Sequence, residues 1–118
     1  MPTGYHYSDP RGIVELRERL SRYYREEYGV ASNYETELLI SSGSKVLIWM
    51  TLASILNPDE EVIIFEPAWV SYTEQVQIAH GKPVTIPYHK GADDLEKHFT
   101  SKTRAVIVNN PQNPSGKV

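Results

Sequence analysis

The stretch "EVIIFEPAWVSYTEQVQIAHGKPVTIP", Glu61 to Pro87, places two short apolar runs on either side of one longer mixed segment. The runs "EVIIFE" and "KPVTIP" are short, apolar and partly β-branched, a pattern typical of buried strands. The segment between them opens with a proline turn and is long enough to form a helix. Strand, helix and strand in this order, with strands that do not alternate between polar and apolar residues, indicate a parallel sheet. The stretch therefore predicts an α/β fold.

The same alternation continues on both sides of this stretch. Upstream, "ELLISS" (37–42) predicts a strand and "GSKVLIWMTLASIL" (43–56) predicts a helix that is apolar nearly all round. Downstream, "GADDLEKHFTSKT" (91–103) predicts a polar helix and "RAVIVNN" (104–110) a last strand. An amphipathic helix opens the chain and ends near Gly29. We expect residues 1–35 to form this leading helical segment and residues 36–118 to form a partial α/β sheet.

Composition narrows the function classes. The chain has 118 residues, of which 40% are hydrophobic and 23% charged, as in one globular domain. Fifteen acidic against twelve basic residues, without a basic cluster, argue against a nucleic-acid partner. The chain has no cysteine, which excludes disulfides and thiolate catalysis, and its apolar runs are too short to span a bilayer. With no signal peptide at the N-terminus, we expect a cytoplasmic protein without a membrane partner.

The sequence "ISSGSKV" (40–46) leads from a predicted strand into a predicted helix. The first backbone N–H groups of a helix are free, and the helix dipole is positive at that end, so this joint could bind a phosphate. A serine cap on a tight glycine turn would produce the same sequence without any ligand. A generic mononucleotide-binding domain is a third interpretation.

Two further segments follow predicted strands. Trp69 comes directly after "EVIIFE", where its ring could stack on a planar ligand or pack under its own loop. In "NNPQNPSG" (109–116), two Asn-Pro steps hold Asn110 and Asn113 extended. Ligands of open α/β sheets bind at the carboxyl ends of the strands, so such an asparagine could hydrogen-bond a polar group of a small molecule. An ordinary turn at the end of a strand would use the same residues. The histidines His6, His80, His89 and His98 show no metal-ligand spacing.

Four motifs in order resemble one known family. They are the opening "Y-x4-G-x3-LR" that begins at Tyr7, then "SSGSKVLI", "NPDEEVIIFEPAWVSY" and "VIVNNPQNPSGKV". Together they resemble the fold type I, pyridoxal-phosphate-dependent aminotransferases of class I/II, in particular the aspartate-aminotransferase-like group. The resemblance implies an incomplete three-layer sandwich with a mostly parallel sheet, part of the large cofactor-binding domain. Two departures are that Asp59 stands where the family usually has glycine and Ser115 where it usually has threonine.

The resemblance also implies roles for individual residues. Gly43, Ser44 and Lys45 would bind the phosphate of pyridoxal 5'-phosphate, mainly through backbone amides. Trp69 would stack on the pyridine ring, and Asn113 would hydrogen-bond its phenolic oxygen and lie near the substrate carboxylate, with Pro114 fixing its direction through a cis bond. Tyr7 would reach the cofactor phosphate of a neighbouring subunit, which implies a homodimer.

The resemblance implies that the reaction moves an amino group between an amino acid and a 2-oxo acid. That chemistry needs a Schiff-base lysine, an acidic partner for the pyridine nitrogen and a substrate-binding arginine, which in the family follow the Asn-Pro loop. None of the lysines stands in the family's Schiff-base context: Lys45, Lys82, Lys90, Lys97, Lys102 and Lys117. We therefore expect an N-terminal portion of an aminotransferase that is inactive by itself. The alternative is a non-catalytic remnant or interaction module that pairs with a full-length subunit.

Overall fold

The computed structural model describes residue 7, residues 9–90 and residues 92–118. The chain divides into two compact units, Met1–Ser44 and Lys45–Val118. The described part of the first unit contains helix α1 (Val14–Tyr28) and the loop that follows it. The second contains nearly all of helix α2 (Ser44–Ile55), then β1 (Glu61–Glu66), α3 (Ser71–Ile78), β2 (Lys82–Pro87) and β3 (Thr103–Ile107). The division into 1–35 and 36–118 stays a prediction.

The three strands form one parallel sheet in the order β2-β1-β3. Strand β1 lies in the centre, with Ile63 opposite Val84 of β2 and Val106 of β3. All six residues of β1 pair with β2 and four of them pair with β3, so β1 is the central strand, which agrees with its apolar sequence. The α/β fold with a parallel sheet is therefore confirmed.

The core of the second unit lies on one face of the sheet. Val62 and Ile64 of β1 form one buried cluster with Leu52 of α2 and Val76 of α3. Because side chains alternate along a strand, Ile63 points to the opposite face, where it is also fully buried. Helices α2 and α3 thus cover the same face of the sheet.

Two predicted elements differ in the structure. Residues 37–42 form no strand; the backbone N–H of Ile40 donates instead to the carbonyl of Arg11, at 2.9 Å. The segment predicted as a polar helix forms a short 3₁₀ helix, Ala92–His98. Its sequence lacks an apolar stripe that could stabilise an α-helix by packing against the rest of the protein.

Helix α1 buries polar side chains within its own unit. Arg17 is 1% exposed and donates hydrogen bonds to the carbonyls of Gly12 and Tyr34, at 3.2 and 2.6 Å, and to the carboxylate of Asp9, at 3.0 Å. Gly12 has a φ of +96° and a Cβ there would lie 2.8 Å from the Cβ of Ile40, so only glycine fits. Arg17 therefore connects the segment before α1 to the loop after α1.

Asp59 occupies the turn before β1 with a φ of 66°. This is the left-handed region, which glycine adopts most easily and which aspartate tolerates better than most residues. The conformation explains why a glycine is usual at this position in the family that the sequence resembles.

Asp9 should make the stability of the first unit depend on pH. Hydrogen bonds from the backbone and the side chain of Arg11 hold the pKa of Asp9 below its usual value of 3.8, and Arg17 adds to the effect. A lowered folded-state pKa stabilises the fold above that usual value, and the contribution is lost as the pH falls through the folded-state pKa. We expect Asp9→Asn to lose less stability than the wild type between about pH 5 and about pH 2 in urea unfolding. Equal losses in the two proteins would contradict this.

Candidate functional site

A cavity lies at the carboxyl ends of β1 and β3, where ligands of parallel sheets usually bind. Its volume is about 160 Å³. The apolar wall includes Ile64, Phe65 and Ile107, and the polar wall includes Asn109 and Asn113. An apolar wall with a few amide groups is the usual lining of a small-molecule site.

The loop that carries Asn113 is held through the side chain of Asn109. Its Oδ1 accepts hydrogen bonds from the hydroxyl of Tyr72 and from the backbone N–H of Asn113, both at 3.2 Å. Its Nδ2 donates to the carbonyl of Pro111 at 3.1 Å. The peptide bond between Asn113 and Pro114 is cis. The backbone of Asn113 is thus fixed to helix α3 through Tyr72, while the Asn113 residue is exposed.

Gln112, next to Asn113, is only 4% exposed. Its Nε2 donates to the carbonyl of Pro67, in the loop after β1, and its Oε1 accepts from the hydroxyl of Ser115. Its backbone also closes the turn, because its N–H donates to the carbonyl of Lys117 at 2.7 Å and its carbonyl accepts from Gly116 at 2.6 Å. Gln112 therefore joins the loop after β3 to the loop after β1.

Trp69 lies half-buried in the loop after β1 and packs against the core cluster. Its ring meets that of Tyr72 edge to face, with 5.4 Å between the centroids. The Nζ of Lys45 lies 5.1 Å from the Trp69 ring centroid, within the range of a cation–π contact. Gln75 fixes the backbone of Lys45, because its Nε2 donates to the Lys45 carbonyl at 2.7 Å. Trp69 is therefore both a packed residue and a neighbour of the start of α2.

The start of α2 has the properties of an anion site. Gly43 precedes it with a φ of +137°, and a Cβ at Gly43 would have no atom within 4 Å, so the backbone there is open. The helix begins at Ser44, and its first turn contains no acidic residue. The first N–H groups of a helix have no partner within it, and the dipole is positive at this end.

The sequence-predicted residues divide into three groups. The structure brings Lys45 and Trp69 together, and it puts Asn113 in the wall of the cavity. Gly43 and Ser44 open helix α2. The side chain of Tyr7 is fully exposed, and His6 lies outside the described residues.

Three residues of the site were not predicted: Tyr72, Asn109 and Gln112. Tyr72 and Asn109 complete a continuous series of contacts that runs from Trp69 to the backbone of Asn113, and Gln112 joins the same loop to Pro67. Asn109 and Gln112 stand in the quoted "NNPQNPSG" loop, but nothing in its sequence distinguishes a buried glutamine from an exposed one. Tyr72 follows Trp69 by three residues, a spacing that puts it on the first turn of α3.

The family described as aminotransferase class I and II matches residues 1–118 of this sequence. The chain belongs to this family. Aromatic-amino-acid aminotransferase 2 of Thermococcus litoralis is 41% identical, over 96% of this chain and 31% of its own length. The aspartate/prephenate aminotransferase of Thermus thermophilus is 39% identical, over 95% of this chain and 30% of its own length. The chain thus spans about 30% of the length of these relatives.

Solved structures agree with this assignment. The aromatic aminotransferase from Pyrococcus horikoshii matches with a TM-score of 0.86 and 38% identity, over 92% of this chain and 31% of that one. The aspartate aminotransferase from Thermotoga maritima matches with a TM-score of 0.87 and 33% identity, over 94% of this chain and 31% of that one. The fold is that of part of a fold type I aminotransferase, and members of the class I and II family depend on pyridoxal phosphate. Among the described residues, no helix is long and apolar enough to cross a membrane.

Proposed function

We propose that this chain forms part of the pyridoxal 5'-phosphate site of an aminotransferase that moves an amino group between an amino acid and a 2-oxo acid. The observation that carries the proposal is the series of contacts from Trp69 through Tyr72 and Asn109 to Asn113. It joins an aromatic ring to an exposed asparagine across the carboxyl ends of two parallel strands. Family membership over residues 1–118 supports the same function.

The residues present fit the cofactor chemically. A phosphate monoester needs N–H donors and positive potential, and the start of α2 offers the first backbone amides of the helix and the Ser44 hydroxyl, with no acidic residue in that turn. A pyridine ring needs a flat apolar surface, which Trp69 offers. A phenolic oxygen needs a hydrogen-bond donor, and the Asn113 amide carries two. When bound, the cofactor supplies an electron sink for reactions at the amino-acid α-carbon.

Each of these residues would bind or orient, and none would transfer a proton. Gly43, Ser44 and Lys45 would hold the phosphate, Trp69 would keep the ring in one plane, and Asn113 would fix its rotation and contact the substrate carboxylate. The lysine, the acidic residue and the arginine that the reaction needs have no counterpart among the residues of this chain in the family's sequence context. We therefore expect binding without turnover from the 118-residue chain.

The proposal includes a homodimer and a cytoplasmic location. Tyr7 of one subunit would reach the cofactor phosphate of the other, and its fully exposed side chain is compatible with such a contact. A role in amino-acid metabolism follows from the proposed reaction.

Calorimetric titration tests the proposed ligand class. We expect the chain to bind pyridoxal 5'-phosphate, to bind pyridoxal more weakly because it lacks the phosphate, and to give no heat with ATP or AMP. Tighter binding of a nucleotide than of pyridoxal 5'-phosphate would favour a mononucleotide-binding domain and contradict the proposal. Equal affinity for pyridoxal and for its phosphate would contradict the proposal that the backbone amides at the start of α2 bind the phosphate.

A further inference from the structure

We infer that Gln112 is a positioning residue that holds Asn113 and Trp69 in the relative orientation that one ligand requires. The inference rests on the proposed function, because it concerns how that site is aimed. Gln112 precedes Asn113 directly, and Pro67, whose carbonyl accepts its amide hydrogen bond, lies two residues before Trp69. One side chain therefore connects the two loops that carry the proposed ring and amide contacts.

The burial of Gln112 is the first argument. Glutamine is usually exposed, and a turn of this kind needs no glutamine for its own geometry. Here the residue is 4% exposed, in a loop in which Asn113 and Ser115 are exposed. Burying an amide is unfavourable unless its hydrogen bonds are made, and both polar atoms of the Gln112 amide have partners.

The orientation of the amide is the second argument. A peptide carbonyl can only accept a hydrogen bond, so the group that faces Pro67 must be the Nε2 donor. The Oε1 then faces Ser115, whose hydroxyl donates to it. The two partners fix the amide in one orientation, and a backbone pair with Lys117 and Gly116 holds the Gln112 main chain, at 2.7 and 2.6 Å.

The third argument is that Asn109 and Gln112 fix different parts of the loop. Asn109 fixes the backbone of Asn113 through its N–H, and Gln112 fixes the distance between this loop and the loop after β1. With both in place, the Asn113 side chain makes no hydrogen bond to any residue that the structure describes and is free to bind a ligand. A preorganised contact binds more tightly because less conformational freedom is lost on binding.

Gln112→Glu tests the inference with almost no change in volume. An ionised carboxylate cannot donate to the Pro67 carbonyl, although it can still accept from Ser115. We expect its affinity for pyridoxal 5'-phosphate to fall about 10-fold or more, because a buried hydrogen bond is lost and two acceptors then face each other. The matched control is Gln77→Glu, which makes the same change at an exposed position of α3 and should alter the affinity less than about 2-fold.

A double-mutant cycle with Asn113→Ala separates positioning from general stability. If Gln112 acts through Asn113, Gln112→Glu should weaken binding much less in the Asn113→Ala background than in the wild type. Independent, multiplying effects would overturn the inference. Should Gln112→Glu fail to fold, Ser115→Ala is a milder test, because Ser115 is exposed and its hydroxyl donates to the Gln112 amide. We expect Ser115→Ala to lower the affinity about 2- to 5-fold. No change with Ser115→Ala would also count against it.

Amide hydrogen exchange without ligand distinguishes failure of this inference from failure of the proposed function. We expect the amides of residues 68–70, and of the residues other than proline within 109–116, to exchange faster in Gln112→Glu than in the wild type, while β1 keeps its protection. Suppose that exchange is faster in the variant but the wild-type protein does not bind pyridoxal 5'-phosphate. The inference that Gln112 connects the two loops would then stand, and the proposed function would be rejected. Unchanged exchange in both segments would reject the connection itself.

Discussion

Replacing Ile64 with alanine is expected to lower the free energy of unfolding by about 2–5 kcal/mol. Ile64 is 1% exposed, belongs to the central strand and pairs with Thr85 and Ile107 on either side. Its neighbours belong to paired strands and packed helices, so they can close the resulting space only in part. Urea unfolding followed by circular dichroism would measure the change.

Ile78→Ala is the matched control for this substitution. Ile78 lies on α3 and is 62% exposed, so the same change in side chain should alter the free energy of unfolding by less than about 0.5 kcal/mol. Equal effects of the two substitutions would show that the cluster around β1 is not the core of this unit.

The second large effect is expected on binding. Asn113→Asp should lower the affinity for pyridoxal 5'-phosphate by about 10- to 100-fold, because a carboxylate cannot donate to the phenolic oxygen and would repel it when both are ionised. Asn110, at the other Asn-Pro step, also lines the cavity, so Asn110→Asp adds the same charge nearby without removing the proposed donor and should weaken binding less than Asn113→Asp does. Calorimetric titration of both variants gives the comparison. A larger loss with Asn110→Asp would show that Asn110, and not Asn113, contacts the ligand.

The three strands and the helices α1, α2 and α3 could be predicted because their signals are local. Continuous apolar runs at 61–66 and 82–87 give buried strands, and the glycine and proline turns mark where they end. Gly29 ends the first helix as expected: it has a φ of 68°, its N–H donates to the carbonyl of Arg25, and the N–H of Val30 donates to the carbonyl of Tyr24. The positions of Trp69 after β1, of Asn113 after β3 and of Gly43 before α2 followed directly, although no strand precedes Gly43.

Apart from the 3₁₀ helix at Ala92–His98, whose sequence lacks an apolar stripe, the features that could not be predicted depend on long-range contacts. Residues 37–42 have the composition of a strand, but the N–H of Ile40 donates to the carbonyl of Arg11, which lies before helix α1. Gln112 looked like a polar turn residue, and only its contact with Pro67 explains its burial. The sequence of a single chain contains no periodic signal for such pairs, because each depends on how two loops meet.

The position of Lys45 could not be predicted either. The resemblance assigns it to a phosphate, whereas in the structure its ammonium lies 5.1 Å from the Trp69 ring centroid. The two roles are compatible in chemical terms, because the cation can lie over the ring while the backbone amide of the same residue faces the phosphate. The long, flexible side chain of lysine allows a position that residue type and spacing do not specify.

The most direct test of the proposed cofactor site is a two-dimensional amide NMR titration of the 118-residue chain with pyridoxal 5'-phosphate. We predict that the largest shifts occur at Gly43, Ser44 and Lys45, at the Trp69 indole and at the Asn113 side chain, and that they saturate together. Shifts that spread over exposed lysines such as Lys82 and Lys102, without a common saturation, would mean non-specific attachment and would contradict the proposed site.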